Sequence, residues 1–284
     1  MYAIGAPLLL VSTKESDKMD IIQLRKLPHL SVSSINTYID CGLLYKFSKV
    51  ENLRPDFISD NLVFGSCIHR ILAEFNQEKM IGNILTADDI EDLFSQDWNK
   101  SAKDNDELQY SQGQSYRTLL NQGIKLLKEF MKSMPENDAT ILAIEEPFVF
   151  NIDGLDVPLI GVMDLVEEHD DGTLTITDYK TSKRAMSINE VDSNFQLTVY
   201  YTAAKANGYA DRDVNLKFDC LIKTQTPRFE QIYTYRSYSH SAKAIKKIKL
   251  VWEGIQKGVF IPNDTSWRCR GCSYKSYCDD WFMN

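Results

Sequence analysis

Apolar residues recur at three- and four-residue intervals through the first half of the chain and at two-residue intervals through much of the second. Ile35, Tyr38, Ile39 and Leu43 share a helical face behind Ser31 or Ser33, either of which can cap the first turn; this pattern carries Cys41 inside the helix. Residues 62–80 repeat the period with Ile68, Ile71, Leu72 and Phe75. Thr86 followed by Asp88 and Asp89 starts a helix over 88–99, because acids in a first turn meet the positive end of the helix dipole. A polar loop over 101–112 leads to a further helix through Tyr116, Leu119, Leu120, Ile124, Leu127 and Met131, which stops near Pro135. The first 27 residues have no clear period and read as an arm, or as an early strand and a loop.

Beyond Pro135 the period changes. Residues 141–152, 159–167 and 173–180 are β-rich, with Asp170-Asp171-Gly172 as the turn between the last two. Residues 188–207 read as one helix closed by Gly208. A second hairpin joins 214–223 and 229–236 around Thr226-Pro227, and 241–256 return to helix ahead of Gly258. The tail over 263–284 is aromatic and cysteine-rich, and no repeat or low-complexity segment interrupts the order. Helices, a meander, a crossover helix and more strands predict one α/β domain on a mixed sheet.

Composition narrows the class. With 284 residues, 43% hydrophobic and 25% charged, the chain can bury a full core, which excludes wholesale disorder. No apolar run approaches the ~20 residues of a membrane span. The apolar stretch 6–11 is short and has no basic residue ahead of it, so a cytoplasmic, intracellular protein is expected. The net charge of −8, taken whole, argues against a nucleic-acid partner. Its distribution does not: residues 1–179 hold 15 basic and 30 acidic side chains, residues 180–284 hold 17 and 10. Such a split is as compatible with chance as with a polyanion-facing surface.

Candidate chemistry begins on the strands. Period two puts Leu174, Ile176, Asp178 and Lys180 on one face, and aligns Asp164 with Ile160 and Val162. An apolar face that ends in two acids and a lysine is not explained by packing, because unpaired buried charge is costly. If the strands pair through the 170–172 turn, Asp164 and Asp178 converge beside Lys180. Two carboxylates suit Mg²⁺ or Mn²⁺, and a lysine can orient water or stabilise charge developing on a phosphate. An ordinary strand-end ion pair has the same D-x-K spacing.

Gly161-Val162-Met163-Asp164 followed by Asp178-Tyr179-Lys180-Thr181 resembles the core of the PD-(D/E)XK nuclease superfamily, and most closely its RecB-type branch. Gly65-Ser66-Cys67-Ile68-His69 fits that branch's Gly-x-x-x-His helix, and Gln196 with Tyr200 fits its Gln-x-x-x-Tyr helix. Spacing i,i+4 puts that last pair on one helical face. The resemblance covers 31–284 and implies a restriction-endonuclease-like core: a central mixed sheet flanked by helices, with an N-terminal helical region tied to a C-terminal cysteine-rich tail. It divides the chain into an arm over 1–30, a helical region over 31–135, a catalytic sheet over 136–240, and a helix and tail over 241–284. It implies His69, Asp164 and Asp178 as metal ligands, with the Tyr179 carbonyl completing the shell. Lys180 becomes the catalytic lysine, and Gln196 and Tyr200 position DNA or the active site. The second acid of the motif is often Glu in this superfamily; here it is Asp178. Glu146 is a further candidate acid, equally readable as a solvated strand-end residue.

Six cysteines without a signal peptide do not read as a disulfide framework. Cys269, Cys272 and Cys278 have metal-ligand spacing, and Cys41 is the natural fourth ligand; four thiolates suit either Zn²⁺ or an iron–sulfur cluster. The one-plus-three arrangement resembles the iron–sulfur-stapled RecB-type nucleases, which include AddB and the CRISPR spacer-acquisition nuclease. That likeness implies a structural [4Fe–4S] cluster clamping tail to N-terminal helices. Cys67 and Cys220 read as buried structural thiols.

Lys243, Lys246, Lys247 and Lys249 on the last long helix, and Arg268, Arg270 and Lys275 in the tail, are candidate phosphate contacts. Trp267, Tyr274, Tyr277 and Trp281 are candidate stacking faces for single-stranded DNA, or a small satellite core around the metal site. Taken with the resemblance, these residues predict a metal-dependent deoxyribonuclease, an exonuclease on single-stranded or end-opened DNA. With no Walker A motif, any helicase, recombination or integration protein would be a separate partner. The rival readings are a non-cleaving DNA-end adaptor of the same fold, which has no need of metal carboxylates, and a structural zinc protein with an incidental D-x-K.

Overall fold

The computed structural model describes residues 10–11, 23, 25–136 and 138–283, so most of the 1–27 arm lies outside the described residues. Its described part includes a short strand β1 (Leu10–Val11). Helix α1 (Val32–Asp40) starts from Ser31, which forms a capping box with Ser34. It stops one residue before Cys41, whose backbone is extended (φ −162°, ψ 108°), so the cysteine lies outside the helix and not inside it. The cause is tertiary. Gly42, opening α2 (Gly42–Tyr45), donates its N–H to the Ile261 carbonyl at 2.9 Å. A Cβ at that glycine would stand 2.7 Å from the Ile261 nitrogen. The C-terminal segment thus crosses the chain at this junction, and a π-helical turn (Lys46–Val50) follows α2.

Three amphipathic helices come next: α3 (Asp60–Met80), α4 (Ala87–Ala102) and α5 (Tyr116–Ser133). Thr86 caps α4 reciprocally with Asp89, the arrangement that the acidic first turn predicts. The 101–112 segment is not wholly loop: α4 runs through its start, and β3 (Leu108–Gln109) pairs in parallel with β2 (Ile58–Ser59).

Strands β4 (Thr140–Ile152), β5 (Leu159–Glu168) and β6 (Leu174–Ser182) form an antiparallel meander. Helices α6 (Ile188–Asp192) and α7 (Phe195–Ala206) cross over to β7 (Val214–Ile222), parallel to β6, and β8 (Arg228–Thr234) returns antiparallel. The sheet order is β1-β4-β5-β6-β7-β8, and α8 (Tyr238–Gln256) packs on α7 and α1. The single helix predicted over 188–207 is two. Asn194 caps α7 by accepting the Leu197 N–H, and buried Arg236 bonds the Val191 and Asn194 carbonyls at the break (2.8 and 3.2 Å).

Each sheet face has its own core. Phe148, Phe150, Val199, Leu216 and Phe218 lie among α1, α7 and α8; Phe64, Phe94, Trp98 and Phe130 lie among α3, α4 and α5. Burying each such side chain stabilises the fold by ~1.5–3 kcal/mol. This is the restriction-endonuclease-like α/β arrangement, a mixed sheet with helices on both sides. Among the described residues, no helix is long and apolar enough to cross a membrane.

Candidate active site

The site forms where two strands part. Pairing between β5 and β6 runs from Glu168↔Leu174 to Leu165↔Thr177. Beyond it β6 keeps its partner β7 as far as Ser182↔Ile222. Asp164 is the first β5 residue past that ladder, and its carboxylate replaces the missing main-chain partner: Oδ2 accepts the Tyr179 N–H at 2.8 Å. The same oxygen lies 3.3 Å from Nδ1 of His69, one turn after Gly65 on α3. Burial works to lower the pKa of the His69 imidazole, but its hydrogen bond to Asp164 and the charges of Asp164 and Asp178 carry it above its ordinary value. Across β4, Glu145 sits in the left-handed region (φ 49°) between the pairs Ile144↔Leu165 and Glu146↔Met163. Strain of this kind costs ~1–3 kcal/mol.

Asp178 is buried, at 1% exposure, and is bound into a ring of polar side chains. Lys180 Nζ lies 2.5 Å from its Oδ2 and donates to Gln196 Oε1 at 2.8 Å. Gln196 Nε2 donates to Asp178 Oδ1 (2.7 Å) and to the Tyr200 hydroxyl (2.8 Å). That hydroxyl has one proton for the Val162 carbonyl (2.8 Å) or Asp178 Oδ1 (3.1 Å). The i,i+4 spacing on α7 thus brings both side chains to one carboxylate. Burial raises the pKa of Asp178, with the Lys180 charge opposing, and holds the Tyr200 phenol well above its usual range. Gly161 of the motif has a steric reason: a Cβ there would lie 2.3 Å from the Phe148 ring, which packs edge-on against Tyr200 at 5.9 Å. Gly65 has none of that kind, since its Cβ would meet only Thr181 Oγ1 at 3.7 Å.

The donor set fits a hard divalent cation. Two carboxylates and an imidazole converge at the parting of the strands, and the buried Asp178 Oδ2 accepts no hydrogen bond, being held only by the Lys180 ion pair. Among the described residues, however, no three His, Cys, Asp or Glu side chains are already closed around one point as a metal centre. The Tyr179 side chain faces away from this ring, its hydroxyl accepting from Asn76 Nδ2 at 2.8 Å. Glu146 stands opposite Met163, and its charge is among those that raise the Tyr209 phenol after burial.

The four cysteines of the expected staple, Cys41, Cys269, Cys272 and Cys278, line one small, mostly apolar cavity, with no three of them grouped as a metal site. Burial raises the Cys272 and Cys278 thiols, and the neighbouring thiols add to it. The chain's own bonds already hold the tail there. Asn263 donates its N–H to Cys41 Sγ (3.5 Å) and its Nδ2 to the Asp40 carbonyl (2.8 Å), and Tyr38 donates to Val259 O (2.6 Å). A 3₁₀ turn (Trp267–Gly271) and α9 (Lys275–Met283) carry the three tail cysteines. Cys67 and Cys220 are buried, with thiols pushed up to about 12 by desolvation, as expected of structural cysteines.

The predicted DNA-facing set divides. Lys243, Lys246, Lys247 and Lys249 are exposed on α8, with Lys247 Nζ 5.1 Å from the Phe195 ring beside Gln196. Arg268 and Lys275, by contrast, are committed to Asp40 and Asp279. Tyr274 and Tyr277 pack together at 6.1 Å, and Tyr277 on Phe47 at 6.0 Å, which makes them a satellite core. Trp281 contacts Phe282, while the Trp267 side chain lies outside the described residues.

One buried network has no counterpart in the motif reading. Lys217 and Asp219, two apart on β7, pair at 3.3 Å inside the opposite core, with Gln231 Nε2 donating to Asp219 at 3.0 Å. Desolvation lifts the Asp219 carboxyl to about 6. The signal lay in the sequence: Lys217-Phe218-Asp219 alternates charge and apolar residues just as Asp178-Tyr179-Lys180 does.

A family model described as PD-(D/E)XK nuclease superfamily matches residues 29–279. Gene 69 protein of Mycobacterium phage D29 is 25% identical over 274 residues, covering 89% of this chain and 97% of that protein. A crystal structure from Eubacterium rectale, provisionally named an exonuclease, superposes with a TM-score of 0.51 over 94% of both chains at 14% identity.

Proposed function

The chain belongs to the PD-(D/E)XK nuclease superfamily, and from that membership we propose that it is a metal-dependent deoxyribonuclease, an exonuclease on single-stranded or end-opened DNA. One observation carries the reading: Lys180, Gln196 and Asp178 close a ring of two hydrogen bonds and one ion pair beside Asp164 and His69, where β5 and β6 part. The exonuclease mode is the finer part; it follows the name of the Eubacterium rectale protein that shares the fold.

Asp164, Asp178, His69 and the Tyr179 carbonyl would hold Mg²⁺ or Mn²⁺. When bound, the cation supplies positive charge against the phosphoryl oxygens and lowers the cost of forming the nucleophile from water. Asp164 keeps its orientation through the Tyr179 N–H. The Gln196 hydrogen bond and the Asp178 ion pair leave the half-buried Lys180 ammonium one N–H for the phosphate oxygen on which charge develops. Gln196 and Tyr200 hold Asp178 through Oδ1, which would leave Oδ2 available to the cation. Water adds across the P–O bond, and the leaving oxygen takes a proton.

Cys41, Cys269, Cys272 and Cys278 would hold a structural [4Fe–4S] cluster, a role that needs the reducing conditions of the cytoplasm. Support comes from their shared cavity and from the Asn263 N–H aimed at the Cys41 sulfur. Purified protein is expected to be brown and to carry about four irons per chain. A colourless protein with a single zinc would replace the cluster with Zn²⁺.

The deciding experiment digests single-stranded DNA blocked at the 5′ end, the 3′ end or both, with Mn²⁺ and with EDTA. Nucleotides should be released from one open end, and only with Mn²⁺. Fragments from doubly blocked DNA would replace exonuclease with endonuclease, and absence of Mn²⁺-dependent cleavage would overturn the nuclease reading.

A further inference from the structure

Two lysines stand together near the catalytic ring without a carboxylate of their own. Lys183 follows β6 by one residue and Lys223 follows β7 by one, and the Lys223 N–H donates to the Ser182 carbonyl at 2.7 Å, which sets the two segments side by side. With Asn61, Gln114, Gln122 and Gln225 they line a polar cavity of about 350 Å³ at the start of α3. Among the described residues neither ammonium makes an ion pair. Lys223 Nζ is held by Asn61 Oδ1 at 2.8 Å and lies 5.0 Å from the Phe64 ring. Burial lowers its pKa and the Lys183 charge lowers it further, with the Asp60 charge opposing.

The acid in the cavity wall is already engaged. Asp60 takes the Ser111 N–H on Oδ2 (2.9 Å), and on Oδ1 the Ser111 hydroxyl (2.8 Å) and Asn61 Nδ2 (3.0 Å). What remains is a cavity whose two ammonium groups outnumber its one carboxylate and whose wall carries amides, the complement of a small oxyanion that accepts several hydrogen bonds. Its position gives the anion a source. Lys183 is three residues beyond Lys180, ~10 Å of extended chain. A nucleic-acid strand carries a phosphate every ~3.4 Å of helix axis, so a bound strand reaches that far within a few nucleotides.

We propose that this cavity is a phosphate subsite, in which Lys183 and Lys223 grip one phosphate of the DNA strand a few nucleotides from the bond being hydrolysed. The inference rests on the nuclease reading and deepens it. The phosphate is either a backbone diester or the phosphate of a strand end, and the two are separated by the test.

The full-length protein is titrated in EDTA, where no cleavage occurs, with labelled single-stranded DNA bearing hydroxyl, 5′-phosphate or 3′-phosphate ends, over a range of salt. Lys183→Gln and Lys223→Gln should each weaken binding about tenfold. Each should also flatten the slope of log affinity against log salt by about 0.7, the loss of one phosphate contact. Arginine at either position should restore much of both. Equal loss on all ends assigns a backbone diester; loss confined to one phosphorylated end assigns the terminal phosphate. Wild-type affinity and slope in Lys183→Gln, at an exposed position where folding is not at stake, would overturn the subsite. Cleavage is scored separately with Mn²⁺: an active wild type with unaffected variants sinks the subsite alone. An inactive wild type sinks the nuclease reading and leaves the binding result to judge the cavity.

Discussion

The Asp164 carboxylate accepts the Tyr179 N–H at 2.8 Å, one residue past the last pair of the β5–β6 ladder. A side chain thereby continues a sheet where the main chain cannot, and the first motif acid is fixed against the residue between the second acid and the lysine. Asp164→Asn keeps an acceptor for that N–H and loses the charge, so it should retain the wild-type melting temperature within a degree or two and lose cleavage by at least ~100-fold. Asp164→Ala should lose cleavage equally and cost a further ~1–2 kcal/mol in urea unfolding, because the N–H is orphaned. Equal stability of the two variants would contradict the sheet-continuing role.

Lys180→Ala should abolish cleavage but should not leave the fold untouched. Asp178 would be buried without its cation, and breaking such a pair costs roughly 3–5 kcal/mol where the acid stays charged. Mn²⁺ should therefore raise the melting temperature of the variant more than that of the wild type. An identical metal shift in both would argue against Asp178 as a ligand.

Gly161→Ala drives a methyl into the Phe148 ring, which supports Tyr200. It should destabilise by ~1–3 kcal/mol and reduce kcat. The double variant Gly161→Ala with Phe148→Leu should recover part of both; no recovery would show that the ring is not the obstacle.

Gly42→Ala should loosen the tail, since Ile261 presents main chain that cannot turn aside. Limited proteolysis should cut after Val259 faster than in the wild type, and iron content should fall. Gly65→Ala, which makes only an ordinary contact with Thr181, is the control expected to melt as the wild type does.

Asp219 gives a pH dependence whose sign is opposite to that of most paired acids. Its folded pKa of about 6 lies above the ordinary 3.8, so the native state holds the proton more tightly. Its contribution to stability is complete below 3.8, declines as pH rises toward about 6 and is constant above. Asp219→Asn lacks this proton. The stability of the variant relative to wild type should therefore rise across that window, by on the order of 2 kcal/mol, on top of a fixed penalty for Lys217. Urea unfolding from pH 4 to 7 reads it; a flat difference would show that Asp219 titrates normally.

The sequence by itself determined which residues are chemical and most of which segments are helix or strand. Period two marked Asp178 and Lys180 as charges on an apolar face, and the i,i+4 spacing paired Gln196 with Tyr200, because both patterns are properties of regular backbone. Only the tertiary structure decided what depends on a distant segment. Cys41 leaves its helix because Ile261 crosses at Gly42; the 188–207 helix breaks because Arg236 satisfies the carbonyls at the gap. Arg268 and Lys275, which read alike with the α8 lysines along the chain, are committed to Asp40 and Asp279, whereas Lys183 and Lys223 line a cavity without an ion pair among the described residues. Local pattern encodes backbone period and side-chain type, whereas the partner of a charge is fixed by which elements the sheet and its helices bring together.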